Sequence, residues 1–103
     1  MEVELEAIPE EVLDIAATAA KFYKALGDST RLEILYIIAN SPHSKVSANH
    51  LANALEISAP TVTHHMKKLM AAKLVTRQQC GKWAYFSIHA ENACLVSQIF
   101  ERA

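Results

Sequence analysis

Apolar residues recur at helical spacing through Val12, Ile15, Ala16, Ala19, Phe22, Tyr23 and Leu26, which predicts an amphipathic first helix. Pro9-Glu10-Glu11 suits its start: proline is tolerated in a first turn, and acids complement the positive helix end. Gly27 suits its end. Asp28 reads as the N-cap of a second helix that carries Leu32, Leu35, Ile38 and Ala39 and stops at Asn40-Ser41-Pro42. A third, short helix is expected from near Ser47, with Leu51, Ala52 and Leu55 apolar. Ser58 caps a fourth, with Pro60 in its first turn and Val62, His65 or Met66, Leu69 and Met70 inward. The segments Leu74 to Gln79 and Trp83 to His89 then read as strands around a turn at Gln79-Cys80-Gly81-Lys82. A last helix, from about Glu91 to Arg102, presents Leu95, Val96, Ile99 and Phe100 along one side.

The predicted order is α-α-α-α-β-β-α, mainly α with a small β-hairpin, in one domain spanning 1–103. Two short helices followed directly by a hairpin are the layout of a winged helix-turn-helix. The spacing agrees. Ala52 is small where the two helices must cross closely, the turn falls four residues later at Glu56, and Val62 anchors the second helix. Leu51, Leu55 and Ile57 fill the other inward positions. Glu56 is the discordant residue. A left-handed backbone is expected at this turn, which costs a non-glycine residue about 1 kcal/mol or more. Either the turn departs from that form or the cost is absorbed elsewhere.

With Val62 inward, the helical period leaves Thr63, His64 and Lys67 outward. Ser58, Ala59, Pro60 and Thr61 lie at the positive N-terminal end, which favours phosphate. Hydroxyls and imidazole can bond phosphate or base edges, while Lys67 and Lys68 suit phosphate. The alternative for this face is ordinary solvation. His65 lies nearer Val62 and Leu69 and is expected to be half-buried and hydrogen-bonded. Arg77, Gln78, Gln79 and Lys82 are the hairpin's candidates for DNA. Trp83, Tyr85 and Phe86 are expected to pack the hairpin onto the body.

Net charge is only −1, but its distribution is uneven. Glu2, Glu4, Glu6, Glu10, Glu11, Asp14 and Asp28 crowd the first 28 residues. Positions 57–90 carry no acid, and they hold Lys67, Lys68, Lys73, Arg77 and Lys82 with His64, His65 and His89. Such a stretch is a candidate polyanion-facing surface. The composition, 51% hydrophobic with 2 Gly and 3 Pro, fits a globular domain and neither a disordered nor a fibrous chain. No apolar run reaches membrane-spanning length, and the acidic start is unlike a secretory signal, so a cytoplasmic protein with reduced cysteines is expected.

The first and last helices offer more apolar surface than the remaining elements need. Val12, Ile15, Ala19 and Phe22, with Leu95, Val96, Ile99 and Phe100, are therefore candidate interface residues of a two-fold dimer formed by helices within 1–26 and 91–102. Intramolecular packing of both helices is the alternative. Cys80, at the hairpin tip, and Cys94 should stand roughly 20 Å apart along a strand rising about 3.3 Å per residue, too far for a disulfide. Cys80 beside Lys82 is a candidate reactive thiol, and Cys94 is expected in core or interface packing.

The runs Phe22-Tyr23-Lys24-Ala25-Leu26-Gly27-Asp28-Ser29-Thr30-Arg31-Leu32-Glu33-Ile34-Leu35 and Leu51-Ala52-Asn53-Ala54-Leu55 are distinctive, as is Ser58-Ala59-Pro60-Thr61-Val62-Thr63-His64-His65-Met66-Lys67-Lys68-Leu69. With Leu74-Val75 and Gly81-Lys82-Trp83-Ala84-Tyr85-Phe86, they resemble the ArsR/SmtB family of winged-helix repressors over roughly residues 20–88. The resemblance implies a homodimer built from the first and last helices, paired recognition helices on a palindromic operator, and repression relieved by an inducer, often a metal ion. The metal sites do not carry over. Where that family has a Cys-x-Cys opening the third helix, this chain has Ser47 and Asn49, followed by His50. Where it has Asp-x-His on the last helix, this chain has Ala90 and Asn92. Neither Ser nor Asn is a soft-metal ligand. His89, Glu91 and Cys94 are the weak remaining candidates for zinc, and no cofactor is expected.

The resulting expectation is a homodimeric, sequence-specific regulator of transcription that binds double-stranded DNA and represses until an unidentified signal releases it. The alternative is an interaction or dimerisation module that keeps the fold without DNA binding. No glycine-rich phosphate loop and no nucleophile-base-carboxylate set points to an enzyme.

Overall fold

Side-chain caps start three of the five helices. The computed structural model describes residues 7–101; the acidic start, Met1 to Glu6, and Arg102, the expected end of the last helix, lie outside them. Five helices are present: α1 (Glu10–Leu26), α2 (Ser29–Ala39), α3 (Ala48–Leu55), α4 (Ala59–Ala71) and α5 (Ala93–Phe100). Asp28 accepts from the Arg31 N–H at 3.0 Å to start α2, and Ser47 accepts from the His50 N–H at 3.1 Å to start α3. Both satisfy a donor that a helix start otherwise leaves unpaired. The last helix begins two residues later than expected, because a single 3-10 turn, Ala90–Asn92, precedes it.

Three strands form one antiparallel sheet in the order β1-β3-β2: β1 (Lys45–Ser47), β2 (Val75–Cys80) and β3 (Trp83–Ile88). The expected hairpin is β2-β3, paired from Val75 with Ile88 to Cys80 with Trp83 around Gly81-Lys82. Gly81 has φ +61, a conformation glycine adopts without strain. The short β1 was not expected. It pairs Val46 with Phe86 and places the start of α3 against the sheet.

The core lies where α2, α3 and α4 meet the sheet. Ile34, Leu35 and Ile38 of α2, Leu51 of α3, Val62, Met66 and Leu69 of α4, and Leu74, Val75 and Phe86 are all buried. Each large apolar side chain buried in this way contributes roughly 1.5–3 kcal/mol. Two expectations are corrected by this packing. Val96 is only 1% exposed within its own chain and joins the core, so it offers a partner no surface. Its position on α5 turns it toward α2, while Leu95, Ile99 and Phe100 remain partly open. Trp83 does not pack the hairpin onto the body; it is 54% exposed. Alternate residues of a strand face opposite ways, so Trp83 and Tyr85 lie on the sheet face away from Phe86. Lys45 covers Tyr85 there, its amine 5.2 Å from the ring centroid.

The first helix stands largely off the body. Only Ala25 is buried, while Val12, Leu13, Ile15 and Tyr23 are exposed and Ala19 and Phe22 are half-buried. The radius of gyration is correspondingly large, 17.1 Å, against about 13 Å for an ordinary domain of 100 residues.

Candidate nucleic-acid interface

Glu56 adopts the left-handed conformation, with φ 54 and ψ 43. The turn between α3 and α4 is thus the form that the spacing demands, built without glycine. Glu56 N–H donates to the Asn53 carbonyl at 3.4 Å and Ile57 N–H to that of Ala52 at 3.1 Å, the paired bonds of a Schellman C-cap. The same device closes α4. Lys73 has φ 57, and the N–H groups of Lys73 and Leu74 reach the carbonyls of Met70 and Leu69 at 3.0 and 2.9 Å. Both helices of the motif therefore end on hydrogen bonds that hold a charged residue in a left-handed turn.

Between these turns, α4 is divided lengthwise. Val62, Met66 and Leu69 are buried and fix the helix to the body. Thr61, Thr63, His64, Lys67 and Lys68 are exposed. Ser58 caps the helix as expected, accepting from the Thr61 N–H at 3.3 Å and lying 2.8 Å from Thr61 Oγ1. That cap also narrows the anion-binding capacity of the helix start. The Thr61 N–H is taken and Pro60 has none, leaving at most the N–H of Ala59 in the first turn.

His65 is half-buried, as its place beside Val62 and Leu69 predicts. Its Nδ1 lies 3.4 Å from Nη1 of Arg31, and the His64 ring meets it edge-on at 5.8 Å between centroids. Burial holds its pKa below the ordinary histidine value. The Asp28 carboxylate works against that shift, and Arg31 and His64 reinforce it. Asp28 is in turn held below the usual carboxylate range, first by the N–H bond from Arg31, with burial opposing.

The wing residues Arg77, Gln78, Gln79 and Lys82 are all exposed. Arg77 Nη2 donates to Gln79 Oε1 at 2.6 Å, and Gln79 Nε2 donates to the Gly81 carbonyl at 2.9 Å, so the tip side chains brace the turn. Trp83 joins this exposed set. Its odd position in the strand, opposite in parity to Phe86, is the sequence signal that places it there.

The structure does not assemble the weak zinc candidates. His89 Nδ1 accepts from the Glu91 N–H at 3.1 Å, Glu91 lies 3.9 Å from Lys73 Nζ, and Cys94 is exposed rather than in the core. Among the described residues no group of three His, Cys, Asp or Glu is placed to hold a metal. The positions that resemble the ArsR/SmtB metal sites also have other work: Ser47 caps α3, and Asn92 Nδ2 donates to the Lys73 carbonyl at 2.7 Å. The residues present do not fit either site. Cys80 is exposed at the hairpin tip.

Comparison with known proteins gives consistent matches. Residues 28–77 match the family described as bacterial regulatory protein, arsR family. The chain is 33% identical over 84 residues to a cadmium resistance transcriptional regulatory protein CadC homolog of Staphylococcus aureus, covering 82% of this chain and 65% of that protein. It is 33% identical over 70 residues to the uncharacterized HTH-type transcriptional regulator MJ1325 of Methanocaldococcus jannaschii, covering 68% of this chain and 76% of that one. The chain spans less than two thirds of the length of the first curated relatives it matches. Among solved structures, the homodimeric winged helix-turn-helix DNA-binding domain Mb0332 of Mycobacterium bovis superposes with a TM-score of 0.78 at 21% identity, covering 92% of this chain and 86% of that one. The fold is a winged helix-turn-helix.

Proposed function

The chain belongs to the arsR family of bacterial regulatory proteins, and on that premise we propose that it binds double-stranded DNA as a homodimer and represses transcription. One observation carries the reading: α4 buries Val62, Met66 and Leu69 while Thr61, Thr63, His64, Lys67 and Lys68 all face solvent on a surface-exposed helix. In this reading α4 enters the major groove. Thr63 and His64 bond base edges, while Lys67 and Lys68 neutralise phosphate. Ser58, Ala59, Pro60 and Thr61 approach the backbone at the start of the helix. Arg77, Gln78, Gln79, Lys82 and Trp83 place the wing along the adjoining groove.

The dimer is supported by the exposed apolar side of α1. Val12 and Ile15 are 45% and 66% exposed and would be a liability in a monomer. Ala19, Phe22, Leu95, Ile99 and Phe100 extend the same assignment. Pairing two copies would set two recognition helices about one turn of DNA apart. No helix among the described residues is long and apolar enough to cross a membrane, and we assign the chain to the cytoplasm, with no catalytic step and no resident cofactor.

A salt titration of duplex binding tests the reading. Neutralised phosphates release counterions, so affinity should fall steeply and linearly on a log-log plot. Lys67→Gln should weaken binding to all duplexes and lower the slope by about one, whereas Thr63→Ala and His64→Ala should chiefly erode sequence preference. A flat salt response, or no duplex binding at low salt by a protein that still dimerises, would refute it.

A further inference from the structure

Arg31 adds a polar link between α1, α2 and α4, which also meet in the core through Ala25. It stands in the first turn of α2, its side chain only 12% exposed. Nε donates to the Ala25 carbonyl at 2.7 Å and Nη2 to the Lys24 carbonyl at 3.2 Å, both in the last turn of α1. Nη1 reaches His65 Nδ1 of α4 at 3.4 Å and lies 4.0 Å from the Asp28 carboxylate. The last carbonyls of a helix lack α-helical partners and carry the negative end of its dipole; that of Lys24 also accepts from the Gly27 N–H at 3.1 Å. A planar cation with five donors can satisfy them and still reach a third acceptor, which a lysine ammonium at the end of a flexible stem does less well. A bond donated to Nδ1 also requires neutral His65 with its proton on Nε2. The groups that face His65 are Arg31 and Asp28 from α2, His64 from its own helix, and, through the guanidinium, the two carbonyls of α1.

We propose that Arg31 is a positioning residue for duplex binding: it ties the C-terminal turn of α1 to His65 and so sets the pose of α4 on the body. The proposal rests on the reading of α4 as the duplex-facing helix. It gives α1, the helix with the exposed apolar side, a polar link to the reading surface.

The test measures affinity for a fluorescent duplex recovered by selection from a randomised pool, at several salt concentrations, with folding and dimerisation checked by denaturation and sedimentation. The variants are Arg31→Met, Arg31→Lys, His65→Leu and the double Arg31→Met/His65→Leu. Under conditions where each is fully folded and dimeric, Arg31→Met should bind about tenfold more weakly. Its salt slope should equal that of the unaltered protein, because Arg31 touches no phosphate. Arg31→Lys should recover only part of the loss. The double variant should bind no more weakly than the worse single one, because both substitutions break one link. Unchanged affinity in Arg31→Met, a lowered salt slope, or losses that multiply in the double variant would each overturn the proposal. If Arg31→Met does not fold, His65→Leu decides: weakened binding at an unchanged slope supports the link, and unaltered binding overturns it. Absence of any duplex binding by the unaltered protein would instead refute the DNA-binding reading on which the proposal stands.

Discussion

Replacing Glu56 by glycine should stabilise this protein although it removes a side chain. Glu56 holds φ 54 and ψ 43 at the turn between α3 and α4. A residue with a Cβ pays about 1–2 kcal/mol for that conformation. Glycine adopts it freely but loses about 0.5–1 kcal/mol more than alanine through the greater freedom of its unfolded chain. The Glu56 side chain is exposed and joins neither ion pair found among the described residues, so little else is lost. The net expectation is a gain of about 0.5–1 kcal/mol, or roughly 2–5 °C in Tm for a domain of this size. Glu56→Ala, which keeps the Cβ, should show no such gain. Urea and thermal denaturation at one fixed protomer concentration measure both variants, because association would otherwise shift the apparent stability. The Schellman bonds are made by the backbone, so duplex affinity should be unchanged in Glu56→Gly. A glycine variant no more stable than the alanine variant would refute the claim that the left-handed turn stores strain.

Leu51→Ala should destabilise the fold by about 2–5 kcal/mol, because the side chain is fully buried where α3 meets the core; urea denaturation at fixed protomer concentration reads the loss. Ile15→Glu should leave a folded chain but shift sedimentation toward monomer, since Ile15 is 66% exposed on α1. His65 adds a pH dependence. Its folded pKa lies below the unfolded value of about 6.5, so the unfolded chain binds the proton more tightly. Stability should be highest above about pH 6.5 and fall as pH drops through that value toward the folded pKa. The fall should be smaller in His65→Gln, as measured by denaturation across that window.

The caps and the inward side of α4 were legible because each rests on local chemistry. Asp28 and Ser58 are followed at fixed offsets by N–H groups they can accept, and Val62 and Leu69 follow the helical period, with His65 or Met66 left open between them; the cap that Ser47 makes was not read, only a helix start near it. Spacing placed the turn at Glu56, but its residue type left open whether the backbone there is left-handed, and the structure shows that it is. The short strand β1 was not, because Lys45-Val46-Ser47 holds one apolar residue and its partner Phe86 lies 40 positions away. Val96 shows a related limit: α5 carries apolar residues on adjoining sides, and periodicity does not say which side turns to its own chain and which to a partner. For Trp83 the information was present. Strand parity separates it from Phe86, but the expectation that bulky aromatics pack inward outweighed it. The Arg31 link was out of reach, since its acceptors come from α1 and from His65, 34 positions along the chain.

The exposed apolar length of α1 has a genetic consequence under the dimer reading. Subunits that pair through α1 will also pair with altered copies whose α1 is intact. A variant defective only at Thr63, His64 and Lys67 would enter mixed pairs and leave them with one working half. Expressed in excess over the normal copy, it should act as a dominant negative. The same substitutions combined with Ile15→Glu should be recessive.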